Sequence, residues 1–238
     1  MEAVFDALDQ RNYKLVLSLV RKMERKPGDH SLLHAIKALA LARTGQVQLS
    51  YELATAVRLT NPVHEQTVNA LQMTFKSLGM YADIALLYGN AFAQLPHIGY
   101  GERWLTACVR CMDYKSVQKI GLMLFKQTKV TKYVMTTVLA CYMQANGLPG
   151  MYCTLAERMM QKQTELITSF EEVRLYLMIL DTQGKFKESL EILEGPLGKL
   201  CKLDEERERM ILGYMDKLQM PTTNKCKQIL RNKYHPLI

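Results

Sequence analysis

The sequence is poor in everything that interrupts or replaces a helix. Only 7 prolines and 13 glycines stand among 238 residues, so few positions can break a helix through a missing N–H or a freed backbone. Segments of alternating Val, Ile and Thr over four to eight residues are nearly absent, which argues against a β-sheet. No apolar run approaches the ~18 residues that a membrane-spanning helix needs, so no membrane partner is expected. The opening MEAVFDALDQRNYK is charged and amphipathic and lacks the apolar stretch of a secretory leader. The 6 cysteines are scattered rather than set in a framework, so reduced thiols and a cytoplasmic location are expected. Signatures of chemistry are missing too: there is no nucleophile elbow, no paired acidic motif and no Arg/Gln-x-x-Gly-x-Gly/Ala loop for acyl-coenzyme A. Catalysis needs preorganised groups, so a non-catalytic protein without a cofactor or metal is expected.

The few local motifs read as structure. Cys108-x-x-Cys111 has no second ligand pair at zinc-site spacing and no βαβ setting for redox work. Cysteine there behaves as a small buried hydrophobe. His30 and His34 stand four apart, but Ser31 occupies the place where a metalloprotease carries its glutamate. Asp29 or Ser31 reads instead as a helix N-cap. Gly195-Pro-Leu-Gly198 lacks the lysine and hydroxyl of a phosphate cradle, and Gly99-Tyr-Gly101 reads as the start of a helix.

What the chain has in abundance is helix formers, with 48% hydrophobic and 23% charged residues. Its most informative feature is a period. A turn residue followed by an aromatic or apolar one recurs at Arg11-Asn12-Tyr13, Gly45-Gln46-Val47, Gly79-Met80-Tyr81, Met112-Asp113-Tyr114, Gly147-Leu148-Pro149 and Gly184-Lys185-Phe186. A degenerate copy stands at Leu218-Gln219-Met220. Successive spacings are 34, 34, 33, 35, 37 and 34 residues, the length of a helix–turn–helix tetratricopeptide unit. Pro62 and Pro96, themselves 34 apart, stop second helices whose hydrogen-bond ladder they cannot continue. Val20, Ala54, Tyr88, Gly121 and Leu193 each fall nine residues after a turn, the packing position of the second helix. In the second repeat, Leu32, Leu33, Ile36, Leu39 and Ala40 form an amphipathic stripe.

A lone helix pair cannot bury its apolar face, so stacked pairs share one core. The expected fold is all-α: a tetratricopeptide-like superhelix of about six to seven helix–turn–helix units, one array over residues 1–238. Apolar Met210, Ile211, Leu212, Met215 and Leu218 near its end suggest that the array is the N-terminal part of a longer superhelix. Counting thirteen, ten, six and three residues back from each turn gives the positions expected to face the concave side. Asn69 and Lys76 in the third repeat, Glu102 in the fourth, and Arg174 and Asp181 in the sixth are the candidate partner contacts. Asn69, Lys76 and Arg174 lie too far apart in the array to clamp a peptide tail together.

Net charge is +8, concentrated in Arg21, Lys22, Arg25 and Lys26 and again in Lys225, Lys227, Arg231 and Lys233. Such clusters usually form solvated helix faces, and they also suit an acidic partner.

Particular stretches resemble a known family. Leu155-Ala-Glu-Arg-Met-Met-Gln-Lys-Gln163 is followed by Glu172-Val-Arg-Leu-Tyr-Leu-Met-Ile-Leu-Asp-Thr-Gln-Gly-Lys-Phe186, then Glu188-Ser-Leu-Glu-Ile-Leu193 and Leu197-Gly-Lys-Leu200. With Lys37-Ala-Leu-Ala-Leu-Ala-Arg-Thr-Gly45 they resemble the auxiliary subunits of the N-terminal acetyltransferase B complex, NatB. The resemblance implies a tetratricopeptide scaffold that wraps a separate catalytic subunit of GNAT fold and helps place it at the ribosome. It implies acetylation of nascent chains that start with Met followed by Asp, Glu, Asn or Gln, with acetyl-coenzyme A bound by the partner. The family's subunits are several times longer, so the resemblance is to their N-terminal part. Two other readings remain open: a general tetratricopeptide adaptor, and a pentatricopeptide-like RNA binder reading one base per repeat. The acidic Glu2, Asp6 and Asp9 speak against an organelle leader and hence against the latter.

Overall fold

The structure, a computed structural model, describes residues 1–220. Among them there are thirteen α-helices and no strand, and none of the helices is long and apolar enough to cross a membrane. The helices come as hairpins: α1 (Glu2–Asp9) with α2 (Tyr13–Met23), α3 (Ser31–Arg43) with α4 (Val47–Leu59), and α5 (Glu65–Ser77) with α6 (Tyr81–Gln94). Then follow α7 (Ile98–Arg110) and α8 (Tyr114–Thr128), α9 (Thr131–Ala145) and α10 (Met151–Lys162), and α11 (Phe170–Thr182) and α12 (Phe186–Glu194). The last described helix is α13 (Asp204–Lys217), the first helix of a seventh repeat.

Each turn of the period is a physical device that ends the first helix. Arg11, Gly45, Gly79, Met112, Gly184 and Gln219 all have φ between 52° and 82°. Following each of them, the next residue's N–H reaches back five residues, as Gln46 does to the Leu41 carbonyl at 3.0 Å and Met80 to the Phe75 carbonyl at 2.9 Å. This left-handed cap satisfies carbonyls that the helix end leaves orphaned. Glycine adopts that backbone freely, whereas Arg11, Met112 and Gln219 do so against Cβ strain. The fifth turn is longer, with Asn146 and Gly147 both left-handed, which accounts for the spacing of 35 there.

Helix starts are equally legible. Ser169 and Glu172 form a reciprocal capping box at α11, and the Asn12 side chain accepts the Leu15 N–H at 3.2 Å. Asp29 accepts both the Ser31 N–H and its hydroxyl, at 2.8 and 2.7 Å, which holds the carboxyl of Asp29 below its usual range. The expected prolines lie two to three residues beyond the ends of α4 and α6, where they keep the chain from resuming the helix.

The chain divides into two compact units, Met1–Leu124 and the part from Phe125 onward. In the first, α3 packs against α2, α4 and α5, and α6 against α5 and α7. Its core is continuous, with Val20, Ala54, Leu71, Phe75 and Tyr88 fully enclosed. In the second, successive helices from α9 to α13 pack on one another around Val138, Met160, Val173, Leu177, Leu180 and Leu193. All five residues placed nine after a turn are buried. Met215 is buried as well, while Met210, Ile211, Leu212 and Leu218 pack half-buried against the second core. Those apolar side chains therefore take part in packing α13 against the second core.

Candidate partner-binding surface

Among the described residues no cluster of three or more His, Cys, Asp or Glu side chains could hold a metal ion. Cys108 is buried in α7, and burial pushes its thiol up to about 12, with Cys111 and Asp113 adding to the shift. A thiol held protonated is a poor ligand and a poor nucleophile, so Cys108 packs as a hydrophobe.

The structure brings one of the sequence-predicted contacts, Asn69, into a defined polar cluster. In the first unit α5 and α7 lie close enough for Arg103 to donate to Asn69 Oδ1 at 2.5 Å. The same guanidinium nitrogen lies 3.1 Å from the Tyr88 hydroxyl, which donates to Gln72 Oε1 at 2.5 Å. Its carbon sits 5.7 Å from the centre of the Tyr88 ring, a cation–π position. Burial pushes the Tyr88 phenol above its usual range, while the hydrogen bond from Arg103 works the other way. The Tyr88 ring is enclosed, Asn69 and Gln72 are half-buried, and Arg103 is exposed. A polar row thus crosses three helices and ends in an accessible cation.

The remaining candidates are not drawn into this cluster. Lys76 is exposed on α5, two turns after Asn69, and Glu102 is half-buried beside Arg103. In the second unit, Arg174 is exposed and lies 3.7 Å from Glu171, a pair on one helix face worth a few tenths of a kcal/mol. Asp181 is occupied internally: Lys217 Nζ stands 3.5 Å away, Ser189 donates at 3.3 Å, and the buried Tyr214 hydroxyl bonds to it. Burial first and then Asp181 raise the Tyr214 phenol, and the Lys217 ammonium lies 4.6 Å from the Phe186 ring and 5.0 Å from the Tyr214 ring. This knot ties α11, α12 and α13 together.

Sequence reasoning passed over Arg103, Gln72 and Tyr88 as a set. The signal was present, because Arg103 lies 34 residues after Asn69, one full period. Of the basic clusters, Arg21, Lys22, Arg25 and Lys26 are exposed at the end of α2 and just beyond it. The second cluster, Lys225 to Lys233, lies outside the described residues.

The repeat pattern and fold match known proteins. The family described as Psidin, N-terminal TPR repeats region, matches residues 1–230. The human N-alpha-acetyltransferase 25, NatB auxiliary subunit, is 29% identical over 228 residues, 92% of this chain and 24% of that protein. The NatB complex subunit homolog of Caenorhabditis elegans is 28% identical over 205 residues, 82% of this chain and 21% of that protein. The Phagocyte signaling-impaired protein of Drosophila pseudoobscura pseudoobscura is 29% identical over 214 residues, 83% of this chain and 22% of that protein. The chain thus spans about a quarter or less of the length of the curated relatives it matches. Among solved structures, that of Naa15/Naa10 bound to HypK-THB matches with a TM-score of 0.71 at 15% identity, over 98% of this chain and 36% of that one. At that identity the likeness concerns the fold, which is all-α and of tetratricopeptide type. The chain belongs to the Psidin family and corresponds to its N-terminal region of tetratricopeptide repeats.

Proposed function

We propose that this chain is a non-catalytic scaffold of a NatB-type N-terminal acetyltransferase, acting as the N-terminal array of its auxiliary subunit. One array over residues 1–238 holds a catalytic subunit of GNAT fold, which binds acetyl-coenzyme A and acetylates nascent chains starting with Met followed by Asp, Glu, Asn or Gln. The chain itself carries no cofactor. The observation that carries this reading is similarity to NatB auxiliary subunits along 228 residues, 92% of the chain, rather than over a single repeat. Similarity that extends over many repeats is harder to obtain from generic packing positions than similarity within one, because those positions fix burial and leave the exposed ones open.

The exposed basic face of α2 gives the scaffold a second task, facing the ribosome. Arg21, Lys22, Arg25 and Lys26 provide a local positive field that steers association with ribosomal phosphates without reading sequence. A scaffold that serves nascent chains in this way would act in the cytoplasm. Exposed Lys76 and half-buried Asn69 and Glu102 in the first unit, and exposed Arg174 and half-buried Asp181 in the second, are our candidates for partner contact.

The test is co-expression of the tagged chain with a NatB catalytic subunit, followed by pull-down and acetylation of a Met-Asp peptide. Co-purification with activity above that of the catalytic subunit alone is expected. A stable, folded chain that neither binds the catalytic subunit nor raises its activity would overturn the proposal and leave a general adaptor.

A further inference from the structure

Five asparagines lie among the described residues, and four of them have their side chains engaged. Asn12 accepts the Leu15 N–H at 3.2 Å, Asn90 donates to Asn61 Oδ1 at 2.7 Å, and Asn69 accepts from Arg103. Asn146 is the exception. It is exposed and stands just after α9. Neither its carboxamide nor the backbone N–H of Gly147 has a hydrogen-bond partner among the described residues.

The reactivity of an asparagine depends on the residue that follows it. That residue's backbone nitrogen can attack the side-chain carbonyl carbon and close a five-membered ring, provided it can lose its proton and swing into place. Pro62 follows Asn61 and has no N–H to lose. Ala70 and Ala91 follow Asn69 and Asn90 inside helices, where each N–H is tied to a carbonyl four residues back. Tyr13 follows Asn12 and crowds the nitrogen with a large side chain. Gly147 has no side chain and has open space where a Cβ would stand.

The turn around Asn146 also has room to move. Its backbone bonds run from the Asn146 N–H to the Met143 carbonyl at 3.2 Å and from the Leu148 N–H to the Ala145 carbonyl at 3.0 Å, on either side of Gly147. Leu148, Pro149 and Gly150 continue exposed outside any helix. With ψ at 40° on Asn146, the Gly147 nitrogen stands away from Cγ, so ring closure waits for the turn to swing. Glycine permits that excursion at little steric cost.

We propose that Asn146–Gly147 is a self-modifying site, where the folded chain slowly converts one asparagine to aspartate and isoaspartate. The Gly147 nitrogen gives its proton to hydroxide and attacks Cγ of Asn146. As the new N–Cγ bond forms, the bond from Cγ to the amide nitrogen breaks, and that nitrogen takes a proton from water and leaves as ammonia. Water then opens the succinimide at either carbonyl, which yields aspartate or isoaspartate. Overall one water enters and one ammonia leaves, with no change of oxidation state. Either product sets a carboxylate at the C-terminal end of α9, where the helix dipole already presents negative charge. Isoaspartate also adds a methylene to the main chain between α9 and α10. Conversion therefore marks older copies of the chain and loosens this hairpin of the second unit.

The test is peptide mapping by mass spectrometry of the whole chain held in warm, mildly alkaline buffer. A free peptide of sequence Gln-Ala-Asn-Gly-Leu-Pro-Gly in the same buffer serves as the clock. The fragment carrying Asn146 is expected to gain one mass unit and split into two chromatographic forms, severalfold more slowly than the free peptide and faster at higher pH. Fragments carrying Asn12, Asn61, Asn69 and Asn90 should stay unchanged, and Tm should fall in step with the converted fraction. Asn146→Gly keeps the left-handed backbone without strain and has no amide, so it should fold normally by circular dichroism, gain no mass and hold its Tm. An Asn146 still intact when the free peptide has fully converted would overturn the proposal. So would equal conversion of the other four asparagines, conversion seen only after urea unfolds the chain, or a Tm that stays constant as Asn146 converts.

Discussion

Removing the ammonium of Lys185 should unsettle the second unit more than any exposed substitution. Glu157 of α10 is 4% exposed, and a carboxylate so enclosed survives as an ion only if its oxygens are filled. Lys185 supplies Nζ at 2.6 and 2.7 Å to the two oxygens. Gln161 donates to one at 3.0 Å and Gln183 to the other at 3.0 Å. In Lys185→Ala the charge stays buried and its counter-ion is gone, a change that costs ~3–5 kcal/mol when nothing replaces the partner. Here the two glutamine amides remain and the lysine side chain was 37% exposed, so water can enter the vacated place. The expected loss is therefore about 2–3 kcal/mol, or a Tm lower by roughly 4–12 °C for a chain of this size. Urea unfolding followed by circular dichroism measures it, provided the slope against denaturant is unchanged. The double variant Glu157→Leu with Lys185→Met should recover most of the loss, because a packed apolar pair needs no counter-ion. A Lys185→Ala midpoint equal to that of the parent would refute the reasoning by showing that water already reaches Glu157. A double variant no better than the single one would place the cost in packing rather than charge.

Three further outcomes are open to the same or simpler measurements. At the turns, Met112→Gly should stabilise by about 0.5–1 kcal/mol and Gly79→Ala should destabilise by about 1–2 kcal/mol, since only glycine adopts the left-handed backbone without strain; shifts in urea midpoint of opposite sign check the pair. Gly198→Ala would drive a Cβ into the Leu193 carbonyl, and a loss of about 1–3 kcal/mol is expected from such overpacking, whereas Gly213→Ala, with open space around it, should lower nothing by thermal melt. Maleimide labelling of the folded chain read by mass spectrometry should modify half-buried Cys111 before the buried Cys108, Cys141 and Cys153. Burial raises the Cys108 thiol from 9.0 to about 12 and the Cys141 thiol from 9.0 to about 11. Folding thus holds protons that the unfolded chain releases, so their stabilisation is complete below pH 9 and fades as pH rises toward 11–12; Cys108→Ala should flatten the fall of Tm over that window.

Much of the architecture was legible because it rests on backbone needs that few residues meet. Four of the glycines in the periodic turns, Gly45, Gly79, Gly147 and Gly184, have positive φ, and glycine is the residue that takes such a conformation at no steric cost. The degenerate turns were found through the period rather than the residue type, and Met112 and Gln219 are left-handed all the same. In those repeats the packing of two helices over-determines the turn and imposes its strain. The division after Leu124 was not legible, because it falls inside α8, a helix of unbroken pattern.

The candidate contacts show where a periodic pattern stops being informative. A fixed count back from each turn presumes that turns are equally long, but the spacing from Gly79 to Met112 is 33 rather than 34. Counted ten back from the turn, the fourth repeat yields Glu102; counted one period on from Asn69, it yields Arg103, the side chain that meets Asn69. Along a helix one residue is a rotation of ~100°, enough to exchange a neighbour of the wrong charge for the right one. Asp181 shows the complementary limit. Its position in the repeat is equivalent to that of exposed Lys76, three before the turn, but Lys217 of the next repeat reaches it. Period determines which positions face a neighbouring helix, because burial of apolar area drives that choice. It leaves open which side chain on the neighbour answers, since an outward polar residue is satisfied as well by water as by an ion pair. The contacts that bind a partner therefore have to be sought among polar groups that stay accessible after the helices have packed, rather than read from the period alone.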